Sequence, residues 1–210
     1  CMLLALLGAC AEPASGIAVG NPPSKTDAAL IVTVAEGVQV LADALDLPLD
    51  AVYLEDCDGR GDLLPVRPPS AVRIDDTLAL PAGLWCGLGL VPQAGATVLE
   101  GTSGEGRFRF AAPLGRILLF NDVGVELRAG EELVLELAEP DWIGANDLGV
   151  GAGEELDIGE DCLDDPLCVR MRAALSRRSG LFRDGNRDGQ VDPVERERGT
   201  GAAGEDRRGS

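Results

Sequence analysis

The chain contains no histidine among its 210 residues. This absence excludes Ser-His-Asp and Cys-His catalysis, and it excludes the usual zinc and iron ligand sets other than all-cysteine or carboxylate ones. Aromatic residues are also scarce, at 3%, so the hydrophobic content of 45% comes from Ala, Val, Leu and Ile. That content is too high for a disordered chain, and the length suffices for one core with a small appendage.

Basic side chains are few: the chain has 18 Lys and Arg residues and 36 Asp and Glu residues, which gives a formal net charge of −18. A chain this acidic repels nucleic-acid phosphates and anionic membrane surfaces, so we expect no nucleic-acid partner. Acidity favours divalent cations and solubility, and most of the charge is interpreted as a solvated surface.

The N-terminal apolar run is less than half of the roughly twenty residues that a membrane-spanning helix requires. It ends in Leu7-Gly8-Ala9-Cys10, which resembles the lipobox of bacterial lipoproteins: a hydrophobic residue, two small residues and a cysteine. The resemblance implies that Cys10 carries a diacylglycerol and begins the mature protein. The absence of Asp after Cys10 then implies the outer membrane. A buried N-terminal element with an incidental cysteine is the alternative.

The first nine residues are interpreted as the remainder of a signal peptide. The chain opens with Cys1 rather than Met and lacks a basic leader region, so we expect this leader to be truncated. Residues 10–26 are rich in Pro, Gly and Ser, which predicts a flexible tether between a lipid anchor and a folded domain.

Apart from Cys1 in the leader and Cys10 at the predicted lipidation site, four cysteines remain: Cys57, Cys86, Cys162 and Cys168. An even number in an exported protein indicates two disulfides, and local pairing predicts Cys57–Cys86 and Cys162–Cys168. A four-cysteine zinc site is the competing interpretation, but it requires C-x-x-C knuckles that these spacings do not provide.

Residues 27–145 are predicted to form an antiparallel β-sandwich of seven or eight strands, because short apolar or alternating runs are separated by turn residues. The predicted strands are 29–34, 51–54, 84–91, 107–110, 116–120, 123–128 and 132–137. Residues 38–45 suit either a short helix or a strand. The Pro81-Ala82-Gly83 turn that leads into an apolar strand resembles prealbumin-like sandwiches, which supports this mainly β fold class (prealbumin- or Ig-like).

The segment from Asp184 to Glu195 matches the pattern D-x-[DN]-x-[DN]-G-x₅-E of EF-hand calcium loops. Calcium takes oxygen ligands from loop positions 1, 3, 5, 7, 9 and 12. These positions hold Asp184, Asn186, Asp188, Gln190, Asp192 and Glu195, with Gln190 offering its backbone carbonyl. Gly189 allows the sharp turn, since glycine adopts positive φ without strain. We therefore expect Ca²⁺ as the cofactor.

The flanks of this loop indicate a C-terminal unit of helix, calcium loop and short helix over residues 164–199. Asp165 and Pro166 predict the start of the entering helix, and Asp192 and Pro193 predict the start of the exiting one. No second loop is present, so the site resembles a lone or dockerin-type loop with a structural role. Residues 146–163 are interpreted as an acidic linker and 200–210 as a disordered tail.

These features favour a lipid-anchored, non-enzymatic calcium-binding protein of the bacterial cell envelope, with a protein partner there as an expectation. A dockerin-like or ligand-binding module of an extracellular assembly is the alternative. A hydrolase that uses Asp141 beside Trp142 with another acid is a third reading. The acidic cluster from Asp56 to Asp62 is interpreted as a hairpin turn held by a disulfide, rather than as a second calcium site.

Overall fold

The computed structural model describes residues 16–20, 24–159 and 162–199. The predicted leader, the lipidation site at Cys10 and the predicted tail at 200–210 lie outside these residues.

Eleven strands and three α-helices make up the described part of the chain. The strands are β1 (Asp27–Val34), β2 (Val40–Glu55), β3 (Gly61–Val72), β4 (Thr77–Pro81), β5 (Gly83–Pro92), β6 (Thr97–Ser103), β7 (Gly106–Ala112), β8 (Ile117–Leu127), β9 (Glu132–Leu137), β10 (Glu155–Ile158) and β11 (Gly180–Arg183). The helices are α1 (Ala145–Leu148), α2 (Pro166–Arg177) and α3 (Pro193–Glu197), and a short 3₁₀ helix spans Cys162–Asp164.

The strands form two sheets. The smaller sheet has the order β11-β9-β1-β4, and the larger has β10-β7-β6-β2-β5-β8 with β3 also paired to β2. Most neighbours are antiparallel, whereas β1 with β9 and β7 with β10 are parallel. The prediction of a mainly β sandwich is therefore confirmed, with more strands than expected and two parallel pairings.

The core lies on the inward faces of these strands, because successive side chains of a strand point to opposite sides of a sheet. In β6, buried residues alternate with partly exposed ones along the whole strand. Phe108 and Phe110, two residues apart in β7, are among the largest fully buried side chains. Aliphatic residues fill most of the remainder, as the composition indicates.

Residues 38–45 belong mostly to β2 and not to a helix. Val40 and Leu45 are buried while Leu41 and Asp43 are exposed. The register shifts between Ala42 and Ala44, so this bulge interrupts the alternation and obscures the strand period in the sequence.

Strand β3 was not among the predicted strands because it contains several prolines. Proline lacks the N–H that a central strand needs, and it is tolerated where a strand has a free edge. Among the described strands β3 pairs with β2 alone, with Pro65 opposite Ala51, and it also forms an isolated parallel bridge from Val66 to Ile17. Its place at the edge therefore explains its sequence.

The range predicted as an acidic linker contains a strand. Strand β10 pairs in parallel with β7, and it buries Ile158 while Glu155 and Asp157 face outward. The acidic residues thus lie on the outer face of a strand, which gives the segment the composition of a linker.

The C-terminal segment is part of the same fold and not an appendage. Helix α2 buries Cys168, Met171, Ala174 and Leu175 in the common core, and Asp165 caps it by accepting from Leu167 N–H as the sequence predicts. Strand β11 then pairs antiparallel with β9.

The range predicted as a tether also contains packed residues. Ile17 is buried, its N–H donates to Pro65 O, and its carbonyl accepts from Arg67 N–H. The folded domain therefore includes residues 16–20.

Among the described residues, no helix is both long and apolar enough to cross a membrane.

Candidate calcium-binding loop

The loop that matches the calcium pattern connects β11 to α3. The expected helix does not lead directly into it, because α2 ends at Arg177 and β11 intervenes. The physical reason is the free backbone edge of β9, which β11 pairs with from Gly180 to Arg183. Asp184 N–H continues this ladder by donating to Glu132 O at 3.2 Å. The first ligand position is thus fixed to the sheet.

Asp184 organises the first half of the loop. Its side chain accepts backbone N–H groups from Arg187, Asp188 and Gly189, the last at 2.7 Å, and only 7% of the residue is exposed. Arg187 and Gly189 have positive φ values of 60° and 76°. These left-handed residues turn the chain around the carboxylate, so that its N–H groups point inward.

Glu195 closes the loop from the other end. One carboxylate oxygen accepts from Gly185 N–H at 2.7 Å and the other from Asp192 N–H at 3.1 Å, and 9% of the residue is exposed. Asp192 in turn caps α3 by accepting from Val194 and Glu195 N–H. This reciprocal capping box confirms the predicted start of the short helix.

The remaining predicted ligands lie on the exposed side of the loop. Asn186 Oδ1 accepts from Asp188 N–H, Asp188 Oδ1 accepts from Gln190 N–H, and the Asn186 amide donates to Asp188 Oδ2 at 3.0 Å. Such local bonds are typical of Asx turns, in which the side-chain oxygens take up backbone donors. Asn186, Asp188 and Gln190 are all exposed.

In the part of the chain that the structure describes, no three His, Cys, Asp or Glu side chains come together closely enough to hold a metal ion. The carboxylates of Asp184 and Glu195 are instead occupied by backbone N–H groups. Both are buried, and neither forms an ion pair with a described Arg or Lys. The donor set fits calcium in type and in order, since all six positions supply oxygen. Each Glu195 oxygen accepts one N–H and has a second lone pair, which a cation could use.

The loop and α3 are fastened to the sheet by contacts that the motif does not contain. Arg196, next to the last ligand position, pairs with Glu136 of β9, and its guanidinium lies 5.8 Å from the centroid of the Phe182 ring. Gly189 of the loop lies close to β1, because a methyl group placed on it would be 3.8 Å from the Ile31 side chain. Glu136 and Arg196 are 60 positions apart, so the sequence offered no signal that pairs them.

The disulfide predictions are confirmed. Cys57 is bonded to Cys86 and Cys162 to Cys168. The first bond joins the β2–β3 turn to β5. The second ties the 3₁₀ helix to the first turn of α2.

The acidic cluster at 56–62 forms the hairpin turn that the sequence predicts. Asp56 Oδ1 accepts from Asp58 and Arg60 N–H, each at 2.9 Å, and Gly59 has a φ of 80°. The Asp56 side chain thereby holds the turn.

The candidate hydrolytic acid lies at the surface of the described structure. Asp141 is exposed, whereas the neighbouring Trp142 is buried and donates from Nε1 to Ala35 O at 2.8 Å. The indole therefore serves the core, and the two side chains do not frame a common site.

Comparisons with protein-family models, with curated proteins and with solved structures find no match for this chain.

Proposed function

We propose that this protein is an exported, non-enzymatic calcium-binding protein of the bacterial cell envelope, in which the ion fixes the C-terminal segment 184–197 onto the sheet. The observation that carries the proposal is the loop between β11 and α3, with oxygen ligands at every position that an EF-hand loop uses. Its first and last carboxylates, Asp184 and Glu195, are buried without a cationic partner among the described residues.

The side chains of Asp184, Asn186, Asp188, Asp192 and Glu195, with the Gln190 carbonyl, would hold the ion. A bound calcium supplies the positive charge that these carboxylates otherwise lack, and charges that leave water need such compensation. Because β11 holds one end of the loop and α3 the other, the ligands would join two elements of the fold.

A structural role is favoured over calcium signalling. The loop is single in the sequence, and the chain has two Met, whereas sensors expose a Met-rich groove. Extracellular modules of this type bind calcium with a Kd of roughly 10⁻⁴–10⁻³ M. That affinity suits a protein that meets millimolar calcium outside the cell.

The envelope location rests on the two disulfides and on the N-terminal lipobox resemblance. Disulfides form and persist in oxidising compartments such as the periplasm. Lipidation at Cys10 would attach the domain to the membrane. Metabolic labelling with palmitate in a bacterial host tests this part on the chain and on Cys10→Ser, each expressed with a complete basic leader ahead of Met2; an unlabelled wild type would remove the anchor from the proposal.

Calcium titration by calorimetry and by thermal unfolding tests the central part. With a Kd of about 0.1–1 mM, 10 mM calcium is expected to stabilise the wild type by about 1.4–2.7 kcal/mol. Glu195→Gln is expected to abolish the response, while its amide oxygen can still support the capping box. Glu197→Gln, an exposed neighbour in α3, removes the same charge and is expected to respond as wild type.

The two variants separate binding in the loop from general attraction to an acidic chain. A wild type that shows neither heat of binding nor stabilisation would sink the calcium proposal. An equal loss in both variants would assign the response to overall charge.

A further inference from the structure

A cavity of about 500 Å³ lies between β8 and α2, in a different part of the molecule from the calcium loop. Its polar lining consists of Arg116, Arg172, Arg177 and Ser176. Leu118, Phe120, Val169 and Ala173 supply the apolar part. None of the described residues that line it is acidic, although Asp and Glu outnumber Lys and Arg by 36 to 18 in the whole chain.

The cavity follows from the periodicities of the two elements that form it. Leu118 and Phe120 lie on one face of β8, and Ile117 and Leu119 on the other face enter the core. Helix α2 presents positions 169, 172, 173, 176 and 177 to the cavity, a spacing that repeats along one side of a helix. Its core side is formed by Cys168, Met171 and Leu175.

The arginines near α2 differ according to whether they face the cavity. Arg170 pairs with Asp147 at 3.0 Å and Arg178 pairs with Glu139, and neither lines the cavity. Arg172 and Arg177 line it, and neither they nor Arg116 pair with an acidic side chain of the described chain. In so acidic a protein, three arginines that line one cavity with no acidic side chain among its lining make that cavity locally positive and favourable to an anion.

Arg172 is also held in position by the fold. Its Nε donates to Pro113 O at 2.8 Å, and the residue is half-buried. The terminal nitrogens of the guanidinium form no hydrogen bond within the described chain. A guanidinium that is oriented before the ligand arrives loses less entropy on binding it.

We propose that this cavity binds a small amphipathic organic anion. Its carboxylate or phosphate head would be held by Arg116, Arg172 and Arg177, and its hydrocarbon or aromatic body would lie on Leu118, Phe120 and Val169. Arginine forks match both head groups with paired hydrogen bonds. The volume is within the range of small-molecule sites, which combine an apolar lining with a few convergent polar groups.

The proposal is tested by calorimetric titration of the full, oxidised chain with decanoate and with decyl phosphate, each below its critical micelle concentration. Two control ligands each carry one part of the molecule: inorganic phosphate represents the anionic head group, and 1-decanol represents the hydrocarbon body. At least one of the two amphipathic anions is expected to bind ten times more tightly than either partial ligand, and the preferred one identifies the head group. No binding of either anion, or equal binding of 1-decanol or inorganic phosphate, would overturn the proposal.

The double variant Arg116→Gln/Arg177→Gln removes two exposed charges from the cavity and is expected to raise the Kd at least tenfold. Arg60→Gln/Arg107→Gln removes the same charge at exposed positions that do not line the cavity. This control is expected to bind as wild type, and an equal loss in it would assign the effect to net charge and refute the site.

Val169→Asp gives an independent check that leaves the arginines in place. Val169 is 48% exposed on α2, so we expect its replacement to preserve folding, which circular dichroism monitors. A carboxylate there would pair with the cavity arginines and is expected to abolish binding of the preferred anion. Undiminished binding in a folded Val169→Asp variant would contradict the proposed position of the ligand.

Discussion

Arg196 of α3 donates two hydrogen bonds to the carboxylate of Glu136, which lies in β9 and is 4% exposed. This ion pair fastens the helix that carries Glu195, the last of the proposed calcium ligands, to a strand inside the fold. Because β11 also pairs with β9, one strand holds both ends of the loop. The loop is therefore anchored at each side by the same element.

Removing Arg196 alone is expected to destabilise the protein more than removing the charges of both Arg196 and Glu136. Arg196→Met leaves Glu136 buried without a partner, which costs about 3 kcal/mol. Glu136→Gln/Arg196→Met removes both charges and is expected to recover most of that loss. Urea unfolding at neutral pH with intact disulfides measures both. Equal stability of the single and double variants would show that the buried carboxylate does not depend on Arg196.

The two disulfides are expected to contribute unequally to stability. They close segments with sequence separations of 29 and 6. Loop-closure entropy predicts about 3–4 kcal/mol for Cys57–Cys86 and about 2 kcal/mol for Cys162–Cys168. Replacing each pair by alanines and measuring urea unfolding tests this order. A larger loss for the short loop would show that the packing of the fully buried Cys168 outweighs chain entropy.

Replacing Gly101 by any larger residue is expected to destabilise the protein, because β6 approaches β2 closely at this position. A Cβ at this position in β6 would lie 2.1 Å from Leu41 O and 2.7 Å from the Phe108 ring. Gly101→Ala is therefore expected to cost about 1–3 kcal/mol through displaced backbone and side chains. Gly95→Ala, where a Cβ would meet nothing within 4 Å, is the matched control and is expected to be neutral. Thermal unfolding of both variants checks this, and an unaffected Gly101→Ala would contradict it.

Asp147 is expected to titrate below its ordinary value of 3.8. The N–H of Gly144, which donates to its carboxylate, is the main cause of the lowered pKa, and Arg170 contributes less. A lowered pKa in the folded state means that the contribution to stability is present at neutral pH and is lost as the pH falls below 3.8. Carboxyl NMR titration measures the pKa. Arg170→Gln is expected to leave it lowered, so a return to 3.8 would show that the arginine dominates.

Local signals in the sequence predicted several parts of the fold. The starts of α2 and α3 follow from Asp165-Pro166 and Asp192-Pro193, because a capping carboxylate and a proline act within one helical turn. Strands were missed where prolines or a bulge disturbed the pattern, as in β3 and the start of β2. Strand β4 was also missed, and so was β6, whose regularly buried positions include Thr97, Gly101 and Ser103 and therefore do not show as an apolar alternation in the sequence.

The features of the candidate sites can likewise be separated into those that depend on residues near in the sequence and those that depend on distant ones. The order of oxygen ligands from Asp184 to Glu195 is a property of the sequence, since a twelve-residue loop brings its own ligands. The disulfide partners were also predicted, because both pairs are local. The partner of Arg196 and the convergence of Arg116 with Arg172 and Arg177 involve separate elements.

The sequence by itself therefore determined the features that depend on near neighbours: the order of oxygen-bearing residues from Asp184 to Glu195, the helix caps, the hairpin turn at Asp56 and the mainly β character. Tertiary structure alone decided that the acidic segment at 155–158 is a strand and that the loop is entered from β11 rather than from a helix. The physical reason is that a strand is completed by hydrogen bonds to a neighbour. Strand β10 pairs with β7 and β11 pairs with β9, and each partner lies far away in the chain. The edges of β7 and β9 become available to these segments only once the sheets have folded.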